Sequence, residues 1–365
     1  MKKITINLGQ KRKYDVIIGY NNLNKIGSYI KKFDIGKSLF IITDSHVNKL
    51  YGQKVKNIFK KSGFQDIYIA EFPEGEKSKT YKIYLILIEK LIEFDNELNK
   101  DLFIATLGGG VPGDIGGFAA STFRRGINYI QIPTTFLANV DSGIGGKVGI
   151  DFKNIKNLLG SFYQPKLVFV DLSFLKTLDK RELKSGFAEV IKYGVIKDYK
   201  FFVYIEKHYK DILNLNPKIM ESIVGKSYRI KADVVKKDER DTKEIRMALN
   251  YGHTIGHAIE SASGFYFKHG EAISIGMVCA NDIACNLGML NLKDANRIEN
   301  LLSKSQLPVK ISHCKVSDII EFLKHDKKNI SGTNRFVLPS KIGKVEIKRG
   351  IPENLIEKVL KNRLE

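Results

Sequence analysis

The sequence of 365 residues has few cysteines and no long apolar run, and both absences restrict its class. The three cysteines, Cys279, Cys285 and Cys314, form no C-x-x-C pair, which favours a reducing compartment over a disulfide framework. No stretch is long enough to span a bilayer, and no apolar signal-peptide segment follows the basic first residues. We therefore expect a cytoplasmic protein with no membrane partner.

A concentrated basic segment is also absent, although Lys and Arg total 60 against 40 Asp and Glu, a net charge of +20. The lysines are scattered, and no basic stripe interleaved with aromatic residues occurs. Dispersed charge of this kind is typical of a solvated surface, and it also attracts anionic small molecules. The sequence therefore predicts no nucleic-acid partner.

The hydrophobic pattern changes near residue 175. Before it, short apolar runs at 38–44, 66–70 and 102–107 are separated by segments of helical periodicity such as 81–94, which predicts a parallel sheet covered by helices. Beyond it, apolar residues recur at spacings of three and four, and helices are predicted over 218–236, 252–263, 271–288 and 294–303. Short strands are expected at 335–338 and 344–348.

We predict two domains on this basis. Residues 1–175 would form an α/β nucleotide-binding domain with a parallel sheet. Residues 176–365 would form a mostly α-helical domain that binds metal and substrate.

A glycine-rich segment, Gly108-Gly109-Gly110-Val111-Pro112-Gly113, follows a predicted strand and precedes a predicted helix at 115–120. Backbone amides at such a turn can approach a pyrophosphate closely, and the helix N-terminus favours an anion. The spacing is not G-x-G-x-x-G, and a tight turn with positive φ also explains the glycines. Asp44, at an earlier strand end, could bind a ribose hydroxyl or cap a helix. Residues 141–147 suit either an oxyanion site or a flexible loop.

Three of the seven histidines, His253, His257 and His269, fall within 17 positions. His253 and His257 are four residues apart and share one face of a helix. Because a catalytic zinc needs about three protein ligands, this spacing nominates the pair as ligands and leaves the third open. Hydrogen-bonded helix histidines remain the alternative.

A series of motifs in the sequence resembles the 3-dehydroquinate synthases, most densely over residues 100–280. The motifs are the glycine segment with Asp114, Arg125-Gly126, Gln131-x-Pro133-Thr134-Thr135, Asp141-Ser142-x-x-Gly145-Gly146-Lys147, Phe162-Tyr163-Gln164-Pro165, Thr177-Leu178-x-x-Arg181-Glu182, Ser185-Gly186-x-Ala188-Glu189-Val190-Ile191-Lys192, Asp238-Glu239-Arg240, Leu249-Asn250-x-Gly252-His253-Thr254-x-Gly256-His257 and His269-Gly270-Glu271-Ala272.

The resemblance implies a ligand set that differs from the nominated pair. Zinc, or cobalt in its place, would be held by Glu189, His253 and His269, and His257 would handle substrate and protons. Substrate contacts would come from Arg125, Asp141, Lys147, Asn157, Lys192, Lys231, Arg246, Asn250, His257 and Lys328, or Lys327 in its place. NAD contacts would come from Asp44, Glu76, Lys79, Gly109, Gly110, Val111, Asp114, Thr134, Thr135, Lys156, Phe174 and Thr177.

The implied activity is the conversion of 3-deoxy-D-arabino-heptulosonate 7-phosphate to 3-dehydroquinate and phosphate. The resemblance also implies a homodimer. The implied catalytic residues are His257, Lys147, Lys192, Arg246 and Asp241. Asp241 departs from the usual Glu of the family, and Glu244 could take its role. The alternatives are a valiolone- or inosose-type cyclase and an NAD-dependent polyol dehydrogenase of related fold.

Overall fold

The computed structural model describes residues 1–9, 12–96, 100–153, 155–329 and 334–365, without the side chains of 325–329. The strands are β1 Lys2–Asn7, β2 Lys13–Gly19, β3 Ser38–Asp44, β4 Ile67–Phe72, β5 Leu102–Gly108, β6 Tyr129–Pro133, β7 Lys147–Phe152, β8 Ile155–Phe162, β9 Leu167–Asp171, β10 Arg335–Lys341 and β11 Lys344–Arg349. The α-helices are α1 Ile26–Ile30, α2 Ser45–Val47, α3 Gln53–Lys61, α4 Tyr81–Asp95, α5 Gly110–Thr122, α6 Lys180–Lys197, α7 Tyr199–Leu213, α8 Pro217–Lys237, α9 His253–Ala262, α10 His269–Asn286, α11 Leu292–Lys304, α12 Val316–Asn329 and α13 Glu353–Asn362. Short 3₁₀ or π segments lie at Leu23–Lys25, Asn48–Gly52, Glu76–Ser78, Phe123–Arg125, Ala138–Ser142, Leu172–Thr177 and Ile245–Asn250.

The chain divides into two compact units. The first unit comprises Met1–Leu178 with Lys231–Arg240, and the second comprises Asp179–Ile230 with Asp241–Glu365. The end of α8 and the turn after it therefore group with the first unit, which hydrophobic periodicity does not predict.

The first unit contains a seven-stranded sheet in the order β1-β2-β9-β6-β5-β3-β4. Only the β1–β2 pair is antiparallel, and every other neighbouring pair is parallel. The carboxyl ends of β3, β5 and β6 therefore meet at one edge, where ligands of such sheets bind. Asp44, Gly108 and Pro133 are the last residues of these three strands.

Both faces of this sheet are covered, as the continuous apolar strands require. In β3, Leu39 and Ile41 pack in the core under α1 and α3, whereas Phe40 and Ile42 pack in the core under α4 and α5. The predicted parallel sheet with covering helices is thus confirmed.

The second unit is mainly helical, with α6 and α10 at its centre. Both helices are buried around most of their circumference, which is the pattern of a core helix. Helices α9 and α10 pack closely through glycines, since a Cβ at Gly276 would lie 2.0 Å from the Gly252 carbonyl oxygen. The predicted helical character of this region is confirmed, and the four predicted helices end within one or two residues of the observed ones.

Two local predictions need correction, and one hairpin was not predicted. The helix expected at 115–120 spans Gly110–Thr122, because Pro112 is tolerated in a first turn that has no use for its missing N–H. Residues 141–147 are not one loop: Asp141 and Ser142 end a π segment and Lys147 begins β7. The β7–β8 hairpin was not predicted.

Within the described residues, none of the helices is long and apolar enough to cross a membrane.

Candidate functional site

Three side chains of the second unit bring potential metal ligands together. The Nε2 atoms of His253 and His269 lie 3.5 and 3.6 Å from Oε1 of Glu189, and the three ligand atoms are mutually within 4.8 Å. Two imidazole nitrogens and one carboxylate form a donor set that catalytic zinc uses. The arrangement therefore fits a divalent metal that leaves a coordination position open.

Each ligand comes from a different helix, and the local sequence explains their approach. Glu189 lies on the buried face of α6, while His253 and His269 are the first residues of α9 and α10. Gly252 precedes α9 with φ of +80°, which favours glycine, and its closeness to α10 excludes a side chain. The two helix starts are thereby brought side by side, with 5.4 Å between the imidazole centroids.

The ring nitrogens that face away from Glu189 have acceptors of their own. Nδ1 of His253 lies 3.2 Å from the Tyr251 carbonyl oxygen, and Nδ1 of His269 lies 3.3 Å from Oε2 of Glu260. Such partners fix the tautomer in which Nε2 is the ligand. Tyr251 and Glu260 carry this role in the structure. Glu260 ends the motif that continues from His257 through Ala258 and Ile259, but it was not among the predicted site residues.

The electrostatic surroundings separate the two histidines. Burial and the Lys192 ammonium lower the pKa of His253 well below its ordinary value. Burial also lowers the pKa of His269, but the Glu189 and Glu260 carboxylates outweigh it and raise this pKa to about 9. In the metal-free protein His269 therefore holds a proton that a bound metal must displace.

The histidine pair nominated from spacing is not a ligand pair in this geometry. His253 and His257 do share a face of α9, with 5.2 Å between ring centroids. Among the described residues, however, the groups able to hold a metal are Glu189, His253 and His269, or His257, Glu260 and His269. His257 is also exposed, so the i,i+4 rule selects neighbours on a helix but not convergent ligands.

Cationic and polar side chains of the predicted substrate set also lie in the second unit. Lys192 is 2% exposed, and its Nζ lies 2.5 Å from Oε2 of Glu189, which is fully buried. Arg246 is buried at the start of the 3₁₀ segment that Asn250 ends, and Asn250 is exposed. Lys192 is thus the cation that the structure joins directly to the candidate metal ligands.

Asp241 and Glu244 are the two acid/base candidates. Both are exposed and have positive φ, 55° and 58°. The Glu244 carboxylate is contacted by Arg335 at 2.9 Å and by Arg349 at 2.7 Å. These ion pairs explain Glu244 structurally.

In the first unit, the glycine segment forms a tight turn between β5 and α5. Gly108 has φ of +152°, and a Cβ there would lie 2.5 Å from Pro112. A Cβ at Gly109 would lie 2.9 Å from Thr135, and Thr134 N–H donates to the Gly108 carbonyl at 2.9 Å. These contacts require glycine at both positions and place the α5 N-terminus directly after β5, where an anion can bind.

Polar side chains surround this turn. Lys79, 4% exposed, places Nζ 2.5 Å from Oδ2 of Asp114, and the Asp114 carboxylate raises the pKa of Lys79 against the effect of burial. The Ser142 hydroxyl, 3.5 Å from the Cβ position of Gly110, is buried without a hydrogen-bond partner in the described structure. A buried hydroxyl beside a helix N-terminus fits a missing polar ligand.

Asp44 takes the capping role that the sequence left open. Its carboxylate accepts from Val47 N–H at 2.8 Å at the start of α2, and only 8% of the residue is exposed. Near the same turn, Phe174 is buried, and the Thr177 hydroxyl lies 2.5 Å from that of Tyr51. Capping does not use the second oxygen of Asp44, which lies 3.4 Å from the Cβ position of Gly108.

Another predicted pair also meets in the first unit. Lys231 Nζ lies 2.8 Å from Oδ1 of Asp141 and 2.9 Å from its carbonyl oxygen. The other predicted contacts of this unit are exposed: Glu76, Arg125, Lys147, Lys156 and Asn157. Lys328 lies in α12, with its side chain outside the described part of the chain.

Comparison with known proteins gives consistent matches along the chain. A family model described as 3-dehydroquinate synthase N-terminal matches residues 69–185, and one described as 3-dehydroquinate synthase C-terminal matches residues 186–329. A 3-dehydroquinate synthase of Thermoanaerobacter sp. (strain X514) is 45% identical over 362 residues, which cover 99% of this chain and 100% of the relative.

Two solved structures of sugar-phosphate cyclases are also similar. A 2-deoxy-scyllo-inosose synthase complexed with carbaglucose-6-phosphate, NAD+ and Co2+ matches with a TM-score of 0.90 and 28% identity, over 100% of both chains. The 2-epi-5-epi-valiolone synthase of Streptomyces hygroscopicus subsp. jinggangensis 5008, with NAD+ and Zn2+ bound, matches with a TM-score of 0.87 and 25% identity, over 98% of both chains.

Proposed function

The chain belongs to the 3-dehydroquinate synthase family, and we propose that it converts 3-deoxy-D-arabino-heptulosonate 7-phosphate to 3-dehydroquinate and phosphate. It is an enzyme of the sugar-phosphate cyclase type, and its finer class is a carbon–oxygen lyase that releases phosphate. The observation that carries the proposal is the convergence of His253 and His269 on Glu189 in a chain of this family.

Glu189, His253 and His269 would hold Zn2+, with Co2+ as a possible substitute. When bound, the metal supplies a Lewis acid that polarises the substrate hydroxyl to be oxidised. The protein orients the ligands through the Tyr251 carbonyl and the Glu260 carboxylate. Lys192 neutralises Glu189 before the metal arrives, which lowers the cost of a buried carboxylate.

The first unit would bind NAD at the glycine turn. When bound, NAD supplies a hydride acceptor and donor within one catalytic cycle, so that it is not consumed. The proposed contacts are Asp44, Glu76, Lys79, Gly109, Gly110, Val111, Asp114, Thr134, Thr135, Lys156, Phe174 and Thr177. The position of the α5 N-terminus and the buried Ser142 hydroxyl support this placement.

The substrate carries a carboxylate and a phosphate, and the proposed contacts are correspondingly cationic. Lys192, Arg246, Asn250, His257 and Lys328 are assigned in the second unit, and Arg125, Asp141, Lys147, Asn157 and Lys231 in the first. Arginine suits a bidentate grip on an anion, and lysine supplies a compact charge. Lys231, Arg246 and Asn250 favour this substrate, which carries a carboxylate, over the carboxylate-free sugar phosphates of the inosose and valiolone cyclases.

The catalytic set that we propose is His257, Lys147, Lys192, Arg246 and Asp241. His257 would move protons, since its exposed imidazole can exchange protons with water. The lysines and Arg246 would stabilise the charge that develops as phosphate leaves. Asp241 is retained because it directly follows Asp238-Glu239-Arg240, where the resemblance places an acid/base residue.

We propose that the enzyme is cytoplasmic and acts as a homodimer. The β8 strand supports a partner surface, because Ile155, Leu158, Leu159 and Phe162 are all at least 40% exposed. Helix α4 adds exposed Leu85 and Ile92 in the same unit. Apolar residues gathered in this number on one unit are typical of a surface that another protein covers.

The test is a turnover assay with 3-deoxy-D-arabino-heptulosonate 7-phosphate, Zn2+ and a trace of NAD+, in which phosphate and dehydroquinate are both followed. We expect many turnovers per NAD, lost on chelation and in His269→Ala. His208→Ala is the matched control, because His208 pairs with Asp211 on α7 and belongs to neither group of potential ligands.

The outcomes separate the candidate functions. Absence of phosphate release while metal and NAD are bound would refute the substrate and lead to the other sugar phosphates. Stoichiometric accumulation of NADH would indicate a dehydrogenase.

A further inference from the structure

Arg181 joins the helix that carries one candidate metal ligand to the start of the helix that carries another. It lies on α6, two turns before Glu189. Its Nε and Nη2 donate to Oε1 and Oε2 of Glu271, each at 2.6 Å, and Nη2 also donates to the Tyr266 carbonyl at 2.7 Å. Bidentate contact with a carboxylate fixes direction as well as distance.

Glu271 belongs to the first turn of α10, which begins at His269. Its carboxylate also accepts from the Lys268 N–H at 2.9 Å, so it caps the helix and bonds Arg181 at once. The residues that Arg181 contacts therefore lie on both sides of His269 in the chain. A change in the orientation of the Glu271 carboxylate would therefore move the first turn of α10.

A second contact between the same two helices lies closer still to the ligand. Gly270 N–H donates to the Ser185 hydroxyl at 2.9 Å, and a Cβ at Gly270 would lie only 1.9 Å from the Ser185 carbonyl oxygen. Ser185 lies one turn before Glu189 on α6. The residue next to His269 is thus held against the helix that supplies Glu189.

We propose that Arg181 and Ser185 are positioning residues that set the distance between Glu189 and His269, and thereby the affinity for the metal. The inference depends on the proposed metal site. Neither residue contacts the ligand atoms, and each acts through the backbone of residues 266–271. Nothing in the motif spacing assigns this role to them.

The competing explanation is that Arg181 only stabilises the fold in general. The surroundings of Arg181 distinguish this explanation from a positioning role. The bodies of α6 and α10 are already held by buried apolar residues along their lengths. The Arg181 side chain is 42% exposed, and ion pairs of such arginines contribute little to global stability. Its loss should therefore disturb the start of α10 and leave the rest of the unit folded.

The experiment compares Co2+ binding by the full chain in wild type, Arg181→Met, Arg181→Lys and Ser185→Ala. Affinity is measured by competition with a chelator, and ligand geometry by the visible absorption of bound Co2+. The control is Arg297→Met, because Arg297 makes a similar bidentate pair with Glu206. His253→Ala reports on the metal site itself, and thermal unfolding checks that each variant is folded.

We expect Arg181→Met to weaken Co2+ binding by about tenfold, the lower end of the effect of losing a direct outer partner of a metal ligand, and to alter its absorption. Arg181→Lys should recover part of the affinity, and Arg297→Met should bind as wild type. Wild-type affinity and absorption in Arg181→Met and Ser185→Ala would overturn the positioning role, as would an equal loss in Arg297→Met. Unchanged binding in His253→Ala would refute the metal site, and the positioning role with it.

Discussion

Replacement of Lys192 by Met should destabilise the metal-free protein much more than the zinc-bound protein. Lys192 and Glu189 form an ion pair at 2.5 Å with side chains 2% and 0% exposed. Breaking a buried pair by removing one partner costs about 3–5 kcal/mol, because the other charge stays buried. At about 2–4 °C per kcal/mol for a unit of this size, the midpoint of thermal unfolding should fall by roughly 6–20 °C.

Zinc should restore most of this loss, since the divalent metal replaces the single proton of His269 beside the Glu189 carboxylate. The assay is thermal unfolding of wild type and Lys192→Met, each after chelation and each with saturating Zn2+. Arg297→Met is the control, because its pair with Glu206 is more than a quarter exposed and has no link to the metal ligands. An equal fall with and without zinc would refute the reasoning, as would an unchanged midpoint after chelation.

Three further predictions concern separate parts of the chain. Gly109→Val should weaken NAD binding by about tenfold or more, equivalent to about 1.4 kcal/mol, because its Cβ would meet Thr135; calorimetric titration with NAD+ measures this, and Co2+ binding should not change. Arg363→Met should lower the stability of the second unit by about 1–2 kcal/mol, since Arg363 bonds Asp282 and Glu299 in a partly exposed site; chemical denaturation tests it, and wild-type stability would contradict it. Leu158→Asp should convert the proposed homodimer to monomers in sedimentation analysis, and a dimer of unchanged affinity would remove β8 from the interface.

Much of the fold could be predicted from the sequence because its periodicities are strong. The strands Ser38–Asp44 and Leu102–Gly108 contain nearly continuous apolar runs, as strands buried on both faces require. The β7–β8 hairpin escaped prediction because β8 is exposed along nearly all of its length and therefore has no alternation of burial.

Less of the candidate site could be predicted from the sequence. Spacing alone placed His253 with His257, because local sequence reports neighbours on one helix. The convergence with Glu189 and His269 depends on how α6, α9 and α10 pack, and Gly252 and Gly276 determine that packing. The motif resemblance implied these ligands. The positioning role proposed for Arg181 and Ser185, in contrast, comes only from the contacts around His269. The roles of the individual substrate and NAD contacts stay predictions.

The grouping of residues 231–240 with the first unit restricts how that unit can be produced alone. A truncation after Leu178 would omit Lys231, the partner of Asp141, and Glu239, which bonds Arg12 at 2.7 and 3.0 Å and Gln164 at 3.2 Å. An excised nucleotide-binding unit would therefore need the segment 231–240 returned through an engineered linker. For the same reason, a protease that cuts only near residue 178 would leave a nicked protein whose first unit is still completed by the other fragment.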